Sequence, residues 1–145
     1  MPSHTAQPPS ASRCRVISLG RVDESRGSLC VAEVGQHISF EIQRVYWVFA
    51  VPGEAERAHH THREQHEVLI AAQGAFTVHC EEAAELRSVY VLDSPDIGLL
   101  LPPMVFHHLD GFSPDAVCLV LASGPYDRDE YVYDYDEFRK LVRRR

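Results

Sequence analysis

The sequence predicts an all-β fold, an antiparallel sandwich or barrel with one short helix at its C-terminus. Short segments rich in β-branched and aromatic residues recur at even spacing, and Gly-, Pro-, Asp- and Ser-containing turn signals separate them. The one segment with clear helical periodicity lies at the end of the chain. A length of 145 residues fits a single core. Residues 14–145 are expected to form that domain, with 1–13 as a disordered tail.

Met1 to Arg13 is rich in Pro, Ser and Ala and has no apolar stretch, which argues against a secretory signal and for a cytoplasmic protein. Expected strands then follow in order: Arg15–Leu19, Ser28–Glu33, Phe40–Phe49, Val68–Ala72, Ala75–Cys80, Ser88–Leu92, Gly98–Leu101 and Ala116–Ala122. Gln73-Gly74 between two of them reads as a tight hairpin, because glycine supplies the positive φ that such turns require. Asp93-Ser94-Pro95-Asp96 is a second turn cluster. In Phe40–Phe49, alternation puts Ile42, Arg44, Tyr46 and Val48 on one face and Val45, Trp47 and Phe49 on the other. Such a strand suits the wall of a lined cavity, or a sandwich edge with Arg44 in water.

The predicted helix spans Tyr135–Arg143. Asp134 is its N-cap, Asp136 and Glu137 lie in the first turn, and Lys140 with Arg143 lies near the end, an order that complements the helix dipole. Tyr135, Phe138, Leu141 and Val142 form the apolar stripe by which it packs. Arg143-Arg144-Arg145 is read as solvated surface.

The chain is 45% hydrophobic and 24% charged, with a formal charge of −7, which argues against nucleic acid or an anionic membrane as a general partner. No apolar run approaches the ~20 residues of a membrane helix. Cys14, Cys30, Cys80 and Cys118 show no Cys-x-x-Cys spacing and are expected to be small buried residues.

Histidine is the outlier. Four of the nine, His59, His60, His62 and His66, fall within eight residues. The run from Gly53 through six residues to His60-Thr61-His62, then four to Glu67 and six to Gly74, nearly matches the first cupin motif. It has one extra residue after the leading glycine. Farther on, Pro102-Pro103-Met104-Val105-Phe106-His107 resembles the second motif, with Met104 where glycine is usual. On a strand, His60 and His62 point to the same side, a turn returns Glu67 beside them, and a later strand supplies His107. His60, His62, Glu67 and His107 are a set of donors suited to a first-row metal. The same imidazoles without metal are acids and bases tuned near neutral pH.

From Glu24 to Phe138 the chain resembles the thymidine-diphospho-4-keto-6-deoxyglucose 3,4-ketoisomerases. The likeness rests on Ser25-Arg26-Gly27-Ser28-Leu29, Ile38-Ser39-Phe40-Glu41-Ile42-Gln43-Arg44-Val45-Tyr46 and Arg57-Ala58-His59-His60-Thr61-His62. Leu92-Asp93-Ser94-Pro95, Phe112-Ser113-Pro114-Asp115-Ala116-Val117, Tyr126-Asp127, Tyr131 and Tyr135-Asp136 extend it.

The resemblance implies a homodimeric cupin, a jelly-roll β-barrel, that isomerises a dTDP-linked keto sugar without a cofactor. It makes His60 the base that moves the proton from C3 to C4, and His62 the shuttle between the two oxygens. Tyr46 and Arg44 would orient the sugar or stabilise the enediolate, and Arg57 would meet the diphosphate. Arg26 together with His107 resembles the subgroup that gives the galacto-configured product. The chain departs from that family at Ala58, usually glycine, at Gln43, Phe106 and His108, and above all at Glu67, where metal-free members have glutamine. Glu67 restores a full cupin ligand set and keeps a metal-dependent isomerase or oxygenase open. A non-catalytic sugar- or nucleotide-binding barrel is the third reading.

Overall fold

A computed structural model describes residues 11–144, so most of the expected tail lies outside the described residues. Its last residues are fastened rather than loose. Ser12 donates its hydroxyl to Glu82 Oε2 at 2.5 Å, and Arg13 pairs with the same carboxylate at 3.5 Å. Glu82 is buried, and a buried carboxylate needs such partners. These contacts tie Ser12 and Arg13, on the tail side of the expected boundary at Cys14, to Glu82.

The described residues form twelve strands and one α-helix. The first six strands are β1 (Arg15–Ser18), β2 (Gly20–Glu24), β3 (Gly27–Val31), β4 (Arg44–Phe49), β5 (Arg57–His62) and β6 (Glu67–Gln73). The others are β7 (Phe76–Glu81), β8 (Arg87–Leu92), β9 (Ile97–Leu101), β10 (Phe106–Asp110), β11 (Val117–Ala122) and β12 (Tyr131–Val132), followed by α1 (Tyr135–Arg143). Two antiparallel five-stranded sheets, in the orders β1-β9-β6-β11-β4 and β12-β5-β10-β7-β8, make the barrel, and β2-β3 form a separate hairpin. This is the all-β architecture expected for a cupin.

Strand alternation builds the core. Leu69 and Ala71 of β6, Val78 of β7, Leu99 and Leu101 of β9, and Cys118 and Val120 of β11 point between the sheets. Val68 and Ile70 point outward yet are buried too, under Ala32, Ile38, Phe40 and Ile42. That double burial explains the near-continuous apolar run of β6. It also corrects the expected strand Phe40–Phe49: Phe40 and Ile42 pack back onto the outside of the first sheet, and pairing begins only at Arg44.

Gly74 turns the β6–β7 hairpin at φ +68, and a Cβ there would sit 2.8 Å from Ala116 Cα. The helix is as expected: Asp134 Oδ1 accepts from the backbone N–H groups of Asp136 and Glu137, and Phe138 and Val142 are buried against Met104 and Val132. Of the cysteines, Cys14, Cys80 and Cys118 are buried, whereas Cys30 on β3 is exposed, because the hairpin leaves that face open.

Candidate active site

Five strands deliver the site. β5 carries His60 and His62, β6 opens with Glu67, β10 carries His107, β4 carries Arg44 and Tyr46, and β12 adds Tyr131. His60 and His107 are direct cross-strand partners. Their ring centroids lie 4.9 Å apart, and His62 lies 5.1 Å from His60. The strands bring His60, His62, Glu67, His107 and Tyr46 to one side of the wall, with His107 outside the tight donor group that His60, His62 and Glu67 form.

Glu67 anchors the cluster. It is 1% exposed, its Oε2 accepts the Tyr46 hydroxyl at 2.7 Å, and its Oε1 lies 2.9 Å from His62 Nε2. Burial pushes its carboxyl up, but the close His62 contact, attraction to His62 and His107, and the Tyr46 hydroxyl outweigh it and hold the pKa down to about 2. Tyr46 moves the opposite way: burial first, then the Glu67 charge, push its hydroxyl well above the ordinary range. It stays a proton donor.

Burial, then His107 and His62, lower the pKa of His60 to about 3, so its imidazole is neutral and able to accept a proton. His107 is lowered too, chiefly by burial. Its Nδ1 lies 3.0 Å from the Val105 carbonyl, which only accepts, so that nitrogen carries the proton and Nε2 keeps its lone pair.

The His62 Nε2–Glu67 Oε1 contact is off the line of a hydrogen bond. Both atoms, with His62 Nδ1 and His60 Nε2, are buried polar atoms without a hydrogen-bond partner. Such atoms are rare in a finished core and converge where a ligand completes the set. His60, Glu67, His107, Tyr46 and Arg57 line an interior cavity of about 80 Å³, room for the reacting edge of a sugar and not for a nucleotide. Tyr131, its ring 5.0 Å from His60 and 4.6 Å from His62, also lines an open cavity of about 650 Å³ with Arg63, Tyr126, Arg128, Asp129 and Tyr133. Arg44 lies over the rings of Tyr46 and Tyr126, at 5.2 and 5.8 Å from their centroids.

The donor atoms of His60, His62 and Glu67 lie within 4.8 Å of one another, a set able to hold a first-row metal ion.

Arg57 reaches the cavity through a bulge. Ala58 and His59 both have positive φ, +74 and +55, and the pairing with β10 shifts there so that His59 is the extra residue. Strict alternation from His60 would have turned Arg57 outward. Ala58, where the family usually has glycine, thus occupies a glycine-type conformation. Met104, likewise at a motif glycine, has φ +64.

Arg26 is not brought to this cluster by its own chain. It sits at the tip of the β2–β3 hairpin, its side chain 85% exposed and 3.1 Å from Glu24. Sequence reasoning gave Tyr131 no role. Its signal was the tyrosine-rich run Tyr126, Tyr131, Tyr133, Tyr135, whose inward members cannot be told from outward ones without the β12–β5 pairing.

The profile of the family described as FdtA (WxcM-like, C-terminal) matches residues 12–143. The chain belongs to this family. It is 38% identical over 128 residues, 88% of this chain and 91% of the relative, to a TDP-4-oxo-6-deoxy-alpha-D-glucose-3,4-oxoisomerase of Aneurinibacillus thermoaerophilus. Among solved structures, this FdtA-like chain superimposes with a TM-score of 0.87 on a histidine-to-asparagine variant of the 3,4-ketoisomerase QdtA of Thermoanaerobacterium thermosaccharolyticum in complex with TDP-4-keto-6-deoxyglucose. That match has 29% identity and covers 91% of this chain and 95% of the other. The TDP-quinovose 3,4-ketoisomerase WlaRB of Campylobacter jejuni matches with a TM-score of 0.83 and 33% identity, over 88% and 98% of the two chains. Among the described residues, no helix is long and apolar enough to cross a membrane.

Proposed function

We propose that this protein is a nucleotide-sugar 3,4-ketoisomerase that converts TDP-4-keto-6-deoxyglucose to the 3-keto-6-deoxy sugar by proton transfer through an enediol. The observation that carries the reading is the cluster of buried ring and carboxylate atoms without hydrogen-bond partners around His60, in a chain 38% identical over 128 residues to an oxoisomerase of that reaction. His60 takes the proton from C3, α to the ketone, as the C4 oxygen gains one; this gives the enediol. The C3 hydroxyl then loses its proton and C4 receives one from His60, so atoms balance without a redox partner. His62, fixed against Glu67, moves the proton between the two oxygens. The Arg44 guanidinium stabilises the developing oxyanion, and Tyr46, whose hydroxyl proton goes to Glu67, orients the sugar. Arg57 and the open cavity beside Tyr131 take the diphosphate and nucleoside.

The active form is a homodimer. Val45, Trp47 and Phe49 are 48, 59 and 62% exposed on the edge strand β4, and Val22 and Leu29 are exposed on the β2–β3 hairpin. Apolar exposure on this scale fits a face covered by a second copy. The hairpin of one copy then carries Arg26 to the partner's site, where with His107 it directs the C4 proton to the face that gives the galacto product. Four free cysteines accord with a reducing, cytoplasmic setting.

The test is incubation with TDP-4-keto-6-deoxyglucose in deuterium oxide, followed by NMR. The ketone should move to C3 with deuterium at C4; resonance shifts without covalent change would reduce the protein to a binding barrel. A second reading, a metal-dependent cupin, rests on the His60, His62 and Glu67 donors. Activity lost to a chelator and restored by one equivalent of iron, nickel or zinc would replace the metal-free mechanism.

A further inference from the structure

The outer face of the second sheet carries another histidine cluster, unrelated to the barrel interior. Alternation along β10 sends His107 inward and His108 outward, directly opposite His79 on β7. Because β10 lies between β5 and β7, the His108 ring is sandwiched. It stacks on His79 at 4.4 Å and 6°, and on His59 at 4.7 Å and 4°. Asp110, two residues along on the same face, places Oδ1 2.8 Å from His79 Nε2. Among the described residues, no hydrogen bond engages either ring nitrogen of His108.

We propose that His79, His108 and Asp110 form a surface site for a divalent late transition-metal ion, zinc foremost. Their donor atoms lie within 4.8 Å of one another. A tetrahedral zinc with bonds near 2.0–2.1 Å needs donors about 3.3 Å apart. The His79–Asp110 pair is already closer than that, and the remaining adjustment is a rotation of partly exposed side chains. Two imidazoles and one carboxylate are the borderline donors such ions prefer. Binding replaces the His79–Asp110 contact with a bond from each to the metal. A metal ion lies in the plane of each ligating ring, so binding turns His79 and His108 out of their parallel stack, while His59 keeps its 2.6 Å contact with Glu56. His79 and His108 border a cavity of about 560 Å³ with Arg87, Tyr133 and Tyr135, from which water or an anion would complete the shell.

This inference does not depend on the isomerase reading, and its test separates the two histidine sets. Full-length protein purified without a metal-affinity tag and stripped with chelator is titrated with zinc against a chromophoric competitor. The inner donors are disabled by His60→Asn with Glu67→Gln. One zinc per chain should remain in that background. His79→Gln or His108→Gln added to it should weaken binding by at least about 10–100-fold, the loss typical of removing even an outer partner. On the unsubstituted chain, zinc should shift the ring 15N resonances of His79 and His108. Zinc lost with the inner donors alone, or unmoved His79 and His108 nitrogens, would overturn the proposal.

Discussion

Exchanging Glu67 for glutamine should remove a share of stability whose size depends on pH in a defined way. The folded chain holds this buried carboxyl at about 2, against an ordinary value of 4.5, so it binds its proton more weakly than the unfolded chain does. Its contribution is therefore fully present above the unfolded value and fades as pH falls toward the folded one. At about 1.4 kcal/mol per unit, the whole effect is about 3 kcal/mol, of which about 2 kcal/mol is lost by pH 3. Glutamine does not titrate, so the stability difference between the two proteins isolates this carboxyl from the others. Urea unfolding of both at steps between pH 7 and pH 3 measures it. The wild type should be more stable at pH 7, and the gap should shrink by about 2 kcal/mol at pH 3. A gap that stays constant would mean that Glu67 does not sit ionised between Tyr46 and His62, and the account of the site's electrostatics would fail. Turnover should survive the exchange, since the resemblance leads to glutamine there. A metal-dependent enzyme would lose it.

His60→Asn should lower turnover by about 10²–10⁴-fold, the usual worth of a positioned base, with an unchanged circular dichroism spectrum. Since His60 is neutral down to about pH 3, kcat/KM should show no acid limb from this ring near 6.5; such a limb would contradict its buried, lowered state. Ala58→Gly should raise stability by about 1–2 kcal/mol by relieving its left-handed backbone, read as a higher Tm. Met104→Gly should do the reverse despite a similar φ, because its buried side chain packs with Val132 and Phe138, and losing such a group costs about 2–5 kcal/mol. Trp47→Glu should shift the mass measured by light scattering from dimer toward monomer, and an unaltered mass would remove β4 from the interface.

Much of this was legible because burial writes itself into residue type. The strands of the first sheet announce themselves through β-branched runs, and α1 through its cap and stripe. β5 and β10 are nearly invisible to propensity, since Thr61 is the one β-branched residue in the two strands; motif spacing found them instead. β2 was missed because Gly20-Arg21-Val22-Asp23-Glu24 is polar and pairs only with β3. Phe40 and Ile42 look like strand residues because they are apolar, but their partners lie on the outside of the barrel. The bulge at Ala58 and His59, and the stacking of His59, His108 and His79, depend on how strands pair, which a linear pattern does not encode.

Both β5 and β10 carry adjacent histidines, one imidazole on each side of the wall. A slip of one residue in β10 would therefore still offer the interior a histidine, His108 in place of His107. The imidazoles themselves are indifferent to that choice. What settles it is the pair that follows: slipping would draw the Asp110 carboxylate into the apolar interior and expel Leu109, an exchange disfavoured on both counts. An aliphatic side chain with no part in the chemistry thus decides which histidine is inside, and Leu109→Asp should disturb the placement of the base more than its distance from any substrate would suggest.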